Sequence, residues 1–254
     1  MGLSVVIITK NEEGNLGRCL DSVAFADEII VVDSHSTDRT LEIAAAHDAR
    51  ICTTDWHGYG PAKRLGVDQA TQEWVLSIDA DEVVTPELAA EIEAIVASGD
   101  ARNGFIIKRR TNFLGRWICH CGWYPDPVLR LFRRSKGNVN EAVVHEAVEV
   151  EGEVGRLDGE LLHYSYPTME LYLAKSNIYT TLGAQEAFRR GRRARWYDLV
   201  FRPIASFITH YLVRQGFRDG IEGLIISVMS SAAVFTKYVK LRHLGRSRRQ
   251  EQAD

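Results

Sequence analysis

Asp79 and Asp81 stand two residues apart at the end of the apolar run EWVLSID, with Glu82 beside them. Such a DxD pair concentrates hard oxygen donors at one point, which suits Mg²⁺ or Mn²⁺. A divalent ion held there would offset the charge of a diphosphate and stabilise a phosphate leaving group. The plainer reading is a solvated loop before the helix that Thr85-Pro86 opens, with Asp81 or Glu82 near its N-terminal dipole. Asp33 closes a second apolar run, EIIVVD. In doubly wound nucleotide folds a carboxylate there accepts a hydrogen bond from a ribose hydroxyl or a base, although Asp33-Ser34 is also ordinary turn chemistry. Thr9-Lys10-Asn11-Glu12 follows a third apolar run, where a glycine-rich phosphate loop would stand. Neither GxGxxG nor a Walker A motif is present, which argues against a dinucleotide dehydrogenase and a P-loop enzyme.

Three polar clusters act together only if the chain brings three strand ends to one edge. Leu3–Thr9 (LSVVIIT) is a continuous β-branched run, as in a strand buried on both faces. Helical spacing over Asn11–Val23, a strand over Glu28–Asp33 and a helix over Ser36–Ala46 follow. A strand over Ala49–Thr53, a helix over Pro61–Ala70, a strand over Glu73–Asp79 and a helix over Pro86–Ser98 complete the series. This alternation predicts an α/β fold with a doubly wound, mostly parallel sheet, whose ligands bind outside the carboxyl ends of the strands. After Gly99 the pattern changes to longer strands at Gly104–Arg110, Val128–Arg134, Ala142–Val150 and Gly159–Tyr166, a mixed or antiparallel extension. Beyond Thr168 the chain reads as helical.

With 254 residues, 45% hydrophobic and 26% charged, the chain has material for a full core. It is neither disordered nor collagen-like nor a disulfide-stapled miniprotein. Four cysteines at this length form no disulfide scaffold, and a reducing compartment fits better. The opening MGLSVVIITKNEE lacks the basic region and cleavage site of a signal peptide and reads as a buried strand. The net charge of −3 hides an asymmetry: Arg189 to Asp254 carries 14 Lys+Arg against 5 Asp+Glu, a balance of +9, and the rest carries 17 against 29, a balance of −12.

VVIITKNEE, VVDSHSTDRT, AKRLGVDQA and LSIDADE, in that order, resemble the motifs of the family 2 glycosyltransferases of the GT-A fold. YPDPVLRLFRR, AVVHE, LLHYSY and the segment from RQGFRDG to FTKYVKL are similar to a narrower group, the bacterial lipopolysaccharide-core β-1,4-glucosyltransferases of the WaaE type. The QxxRW motif of the processive enzymes is absent. The resemblance implies transfer of a hexose, with glucose from UDP-glucose expected, to a lipid-linked oligosaccharide such as the inner core. Thr9, Asn11, Glu12 and Asp33 would contact the donor nucleoside, Lys63 with Arg64 uracil or phosphate, and Asp79 the ribose. Asp81 would ligate the metal, and His163 stands where GT-A enzymes often supply a late metal-ligating histidine. By the same resemblance, residues 1–100 form the nucleotide-sugar half, 101–167 the acceptor half, 168–245 a helical membrane-associating segment and 246–254 a flexible tail.

Family 2 enzymes invert, which needs a general base for the acceptor hydroxyl, and an ionised carboxylate suits that role. Glu146, in the VHE turn, and Asp126, between two prolines, are the candidates, and Glu146 is favoured. Trp117, Trp123 and Tyr124 would stack on an acceptor sugar or cover a loop, Trp56, His57 and Tyr59 would close over the donor, and Lys108, Arg109, Arg110, Arg130, Arg133 and Arg134 suit a phosphorylated acceptor or, equally, a solvated face. Cys119-His120-Cys121 lacks the second ligand pair of a zinc site and reads as a pocket wall. The run Arg189 to Arg195, followed by Trp196-Tyr197, precedes the apolar stretches Leu199–Val213 and Ile221–Phe235. Each stretch is short for a bilayer span and suits a helix lying in an anionic membrane interface; the surrounding apolar residues argue against nucleic acid. Peripheral attachment on the cytoplasmic face of the inner membrane is the expectation, with room for an oligomer; the plainer reading is a helical hairpin buried on the body or in a dimer. A nucleotidyltransferase acting on sugar phosphates and a non-catalytic membrane-associated scaffold are the rival readings.

Overall fold

All seven residues of β1 (Leu3–Thr9) are buried, as its unbroken β-branched run requires of a strand covered on both faces. The computed structural model describes residues 1–139 and 148–250. After β1 come α1 (Leu16–Ser22), β2 (Glu28–Asp33), α2 (Thr40–Ala46), β3 (Arg50–Thr53), α3 (Tyr59–Gln69), β4 (Trp74–Asp79), β5 (Glu82–Val84) and α4 (Pro86–Ser98). Then follow β6 (Gly104–Phe113), β7 (Arg116–Trp117), β8 (Asp126–Arg133), β9 (Gly137–Val139), β10 (Val148–Val150) and β11 (Val154–Tyr166). The chain ends in α5 (Met169–Arg189), α6 (Trp196–Ile208), a π-helical turn at Thr209–Val213, a 3₁₀ turn at Gly216–Asp219 and α7 (Gly220–Gln250). It divides into two units: Met1–Arg110 with Pro125–Tyr164, and Thr111–Tyr124 with Ser165–Asp254.

The first unit is built on a sheet of order β3-β2-β1-β4-β8-β6-β11-β5. β3, β2, β1 and β4 are parallel neighbours, whereas β8 runs antiparallel to β4 and β6, and β5 antiparallel to β11. The parallel half and antiparallel extension expected from the sequence are both present. Register sets the edge: Thr9 pairs with Asp33, and Ile8 with Asp79. Three parallel strands therefore end flush, and Asp33 and Asp79 lie two strand spacings apart, about 10 Å. One core cluster, with Leu16, Leu20, Leu88 and Ile92, packs on one face of the sheet, and a second, with Ala62 and Val67 of α3, on the other.

Local chemistry explains the boundaries. α4 starts where Thr85 Oγ1 accepts from Leu88 N (3.3 Å), with Pro86 in the first turn, and stops at Gly99 with φ 68°. In α3, a Cβ on Gly66 would lie 2.3 Å from Val6 Cγ1 and 3.0 Å from Val32 Cγ2, so only glycine lets that helix settle on β1 and β2. α1 begins at Leu16 rather than Asn11, because Asn11 takes φ 56°, which no helix residue does. α2 likewise begins at Thr40 rather than Ser36. β5 was not expected: its pairing partner, β11, lies almost eighty residues onward, with His163 opposite Glu82. Of the predicted strand Ala142–Val150, Val148–Val150 is a strand, and the remainder lies outside the described residues.

In the second unit, Phe113, Ile118, Cys121, Tyr172 and Ile226 form a small buried cluster with Trp123 and Tyr166 against it. The 13-residue α6 turns aromatic and aliphatic side chains outward: Trp196 is 67% exposed, Phe201 62% and Ile204 51%. Two sequence expectations need correction here. The apolar stretch Ile221–Phe235, read as short for a bilayer span, belongs to a longer helix: α7 runs for 31 residues, and by length and composition it is long and apolar enough to cross a membrane. Residues 246–250, expected to fray, continue that helix. Lys237, Lys240, Leu241, Arg242 and Leu244 are good helix formers and no proline follows, so nothing local stops the helix.

Candidate active site

The loops after β1 and β2 are stapled together at the carboxyl edge. Asp33 is fully buried. Its Oδ1 accepts from Thr9 Oγ1 (2.9 Å) and Ser36 Oγ (2.5 Å), and its Oδ2 from Ser36 N (2.8 Å). Asn11 N donates to Ser36 Oγ (2.8 Å), and Asn11 Oδ1 accepts from Thr37 N (2.8 Å). Glu12 N donates to Thr40 Oγ1 (2.8 Å), while Glu12 Oε2 accepts from Asn15 Nδ2 (2.8 Å). Thr9, Asn11, Glu12 and Asp33 thus meet, as their strand-end positions implied, and much of their bonding capacity holds the edge itself in shape.

A second set lies across β4, β5, β6, β8 and β11. Lys63, 1% exposed, places Nζ 2.9 Å from Asp79 Oδ1. Arg130 Nη2 donates to Asp79 Oδ2 (2.7 Å) and to Glu82 Oε1 (2.7 Å). Arg109 Nη1 donates to Glu82 Oε1 (2.9 Å), and its Nε and Nη2 both donate to Asp126 Oδ2 (2.9 and 2.6 Å). Glu82, with no exposed surface, completes the chain by accepting from Asp79 N at 2.9 Å. Three cations and three carboxylates therefore alternate from Lys63 to Asp126. Burial alone would raise the Asp79 pKa, but Arg130 and then Lys63 overcome it and hold the carboxyl well below the ordinary range. Burial, and then Glu82, Asp81 and Asp79, push the buried Cys19 thiol well above its usual value, so it stays a protonated packing residue.

Asp81 and His163 form the remaining pair. His163 Nε2 lies 3.3 Å from Asp81 Oδ2, with the two side chains 14% and 16% exposed. Tyr164 N donates to Asp81 O (2.8 Å), and the Arg18 guanidinium lies 3.9 Å from the Tyr164 ring centroid. His163 Nδ1 is buried without a hydrogen-bond partner. Two bonds of about 2.1 Å at a right angle end about 3.0 Å apart, so an Asp81–His163 pair at 3.3 Å fits adjacent corners of a coordination shell. Among the described residues no group of three or more His, Cys, Asp or Glu side chains converges on one point. A cation here would therefore take two protein ligands and find the others on substrate oxygens and water.

The remaining candidates separate. Arg64, 44% exposed, pairs with Asp68 on its own helix. Trp56 and Tyr59, both exposed, meet edge to face at 4.9 Å, with Lys10 Nζ 5.9 Å from the Trp56 ring. Glu146 lies outside the described residues. The expectation that basic strand ends bind acceptor phosphate needs correction. Arg109 and Arg130 serve Glu82, Asp79 and Asp126, while Arg110 pairs with Glu160 (2.7 Å) and Arg133 with Glu73. In the second unit, Asp219 accepts from Cys119 N, from His120 N (2.7 Å) and from His120 Nδ1 (2.9 Å), which fixes that loop. Sequence reasoning placed Glu82 beside the DxD pair and Arg109 and Arg130 on phosphate; it missed the ion chain these three form, and it missed Tyr164. One signal was available: Arg130 sits between Leu129 and Leu131 in a core strand, and an inward arginine needs an anionic partner.

Residues 4–145 match the model of the family described as Glycosyl transferase family 2. The lipopolysaccharide core biosynthesis glycosyltransferase LpsC of Rhizobium meliloti is 34% identical over 260 residues, which covers 97% of this chain and 94% of that protein. An uncharacterized glycosyltransferase of Rickettsia typhi is 32% identical, over 95% of this chain and 87% of that protein. Among solved structures, S. aureus TarS 1–349 aligns over 99% of this chain and 92% of that chain, at 17% identity and a TM-score of 0.48.

Proposed function

The chain belongs to glycosyl transferase family 2, and from that premise we propose that it is an inverting, metal-dependent enzyme that moves a hexose from a nucleotide diphosphate to a lipid-linked oligosaccharide. UDP-glucose is the expected donor and the inner core of lipopolysaccharide the expected acceptor. The likeness to LpsC over nearly the whole chain supports the acceptor class. The observation that carries the reading is the Asp79-x-Asp81 pair at the end of β4, with His163 3.3 Å from Asp81.

Asp81 and His163 would hold Mg²⁺ or Mn²⁺. Bound there, such an ion neutralises the diphosphate leaving group. The donor nucleoside would lie against Thr9, Asn11, Glu12 and Asp33, with Asp33 reaching it by exchanging its Ser36 bonds. Lys63, with Arg64 on the next position, would face uracil or phosphate, and Asp79, kept ionised by Lys63 and Arg130, would accept from a ribose hydroxyl. Glu146, or Asp126 in its place, takes the proton of the acceptor hydroxyl. That oxygen attacks the anomeric carbon as the bond to the diphosphate breaks, and the configuration inverts.

The outward apolar residues of α6 and the arginines before it support attachment to the cytoplasmic face of an anionic membrane. Calorimetric titration of UDP with and without Mn²⁺ tests the donor site: tight binding should need the metal and be lost in Asp81→Ala. UDP binding indifferent to both would overturn the assignment. A screen of nucleotide sugars against a truncated core acceptor identifies the sugar, and release of pyrophosphate instead of UDP would decide for a nucleotidyltransferase.

A further inference from the structure

The second unit contains a cavity of about 390 Å³ between α5, α6 and α7, and none of the residues assigned above to the donor or the metal lines it. This is within the size range of small-molecule sites. One wall is aromatic: Trp123, Tyr166 and Tyr172 pack together, with Trp123 stacked 6.4 Å from Tyr172 and Tyr166 edge-on to Tyr172 at 5.1 Å. The facing wall comes from Ala233 and Val234 of α7, and Ser176, Ser206 and Ser230 add hydroxyls. The lining is mostly apolar, and Lys237 is its one charged residue.

Lys237 differs from the lysines around it. Lys175 donates to Ser165 Oγ (3.1 Å) and lies over the Tyr166 ring. Lys240 donates to Asn177 Oδ1 (2.7 Å), Thr180 Oγ1 (2.9 Å) and Thr181 Oγ1 (2.7 Å). Lys237 is half-buried and has no hydrogen bond or ion pair among the described residues. The Lys237 stem lies directly against α5: a Cβ on Gly183 would stand 3.4 Å from Lys237 Cε, an ordinary packing distance.

We infer that this cavity binds an anionic amphiphile carrying a single chain, with the chain against the aromatic wall and its phosphate or carboxylate on Lys237. The complementarity is of two kinds, an apolar lining for a chain and one uncompensated cation for one anion. The inference stands on the second unit alone. A failure of the donor-site reading leaves it intact, and UDP titration of the same sample reads that site separately.

Calorimetric titration of the full chain with dodecyl phosphate, below its micellar concentration, tests it. Saturable one-to-one binding is expected, at least tenfold tighter than for dodecyl maltoside or inorganic phosphate. Lys237→Met should weaken dodecyl phosphate at least tenfold and leave dodecyl maltoside unchanged. Ala233→Phe, which fills the cavity, should abolish binding, with the thermal midpoint of each variant reporting on its fold. Equal binding by Lys237→Met, equal binding of inorganic phosphate, or undiminished binding by a folded Ala233→Phe would each overturn the inference. Displacement by lysophosphatidylglycerol, which carries one chain, would mark a membrane lysolipid as the source, and resistance to it a lipid-linked substrate.

Discussion

Arg130 and Glu82 form an ion pair at 2.7 Å with side chains 8% and 0% exposed, and the same guanidinium nitrogen reaches Asp79. Removing one member of a buried pair strands its partner without solvent, which costs about 3–5 kcal/mol. Arg130→Met should therefore lower unfolding stability by about that amount, read by urea denaturation. It should also weaken UDP binding, because Asp79 loses one of its two cations. A change under about 1 kcal/mol would show that Arg109 and Lys63 suffice to hold both carboxylates.

Asp81 and His163 should act as a unit toward metal. His163→Ala should reduce Mn²⁺-supported UDP affinity at least tenfold, a loss similar to that of Asp81→Ala, and the double variant should lose little more. Independent, additive losses would indicate that the two side chains serve different ligands.

The two candidate bases are separable by kinetics. Asp126 spends Oδ2 on two bonds from Arg109, so its replacement by Asn disturbs that pair as well as any proton transfer. Glu146→Gln should lower kcat by about 10²–10⁴, the usual worth of a general base, with KM for the donor unchanged. Asp126→Asn should cost less in kcat. The reverse order would assign the base to Asp126.

Much of the nucleotide half was legible because its signals are local. Unbroken β-branched runs mark strands buried on both faces, and an acid closing an apolar run marks an edge; Leu3–Thr9 followed the first rule, Trp74–Asp79 the second and Glu28–Asp33 both. The ion chain from Lys63 to Asp126 was not legible, since it joins α3, β4, β5, β6 and β8 through contacts 16 to 51 residues apart in sequence. Composition shows an arginine's charge and not its partner. For the same reason the strand-end arginines resembled phosphate ligands, and β5 was invisible until β11 paired with it.

Acid should expose the depressed carboxyls. Hydrogen bonds from Arg102 hold Asp100 down to about 2, and Asp79 also lies well below its usual range. A carboxyl lowered in the folded state adds stability that is present above its unfolded pKa, about 3.9. That stability is lost as pH falls through the folded value. Urea midpoints should stay level above about pH 5 and fall between about pH 4 and pH 2. Asp100→Asn should flatten that limb, and an unchanged slope would remove Asp100 as a contributor.

Vesicle binding should depend on charge and on α6 together. Arginine near an anionic surface contributes about 1 kcal/mol each, so Arg192→Gln with Arg193→Gln should weaken sedimentation with phosphatidylglycerol vesicles about tenfold or more, and salt should do the same. Phe201→Ser, at a position 62% exposed, should weaken binding even at low salt. Retention on neutral vesicles by both variants would argue for span-like insertion of α7.

Gly66 bears on the reach of Lys63, three residues earlier on the same helix. With 2.3 Å between a hypothetical Cβ and Val6 Cγ1, even alanine at position 66 would have to jack α3 off the sheet. Lys63 reaches a carboxylate at 2.9 Å from the same helix, so an α3 lifted from the sheet would carry its ammonium away from Asp79. The missing side chain thus works as a spacer of zero thickness: it calibrates how far one ammonium stands from one carboxylate at the opposite end of a turn.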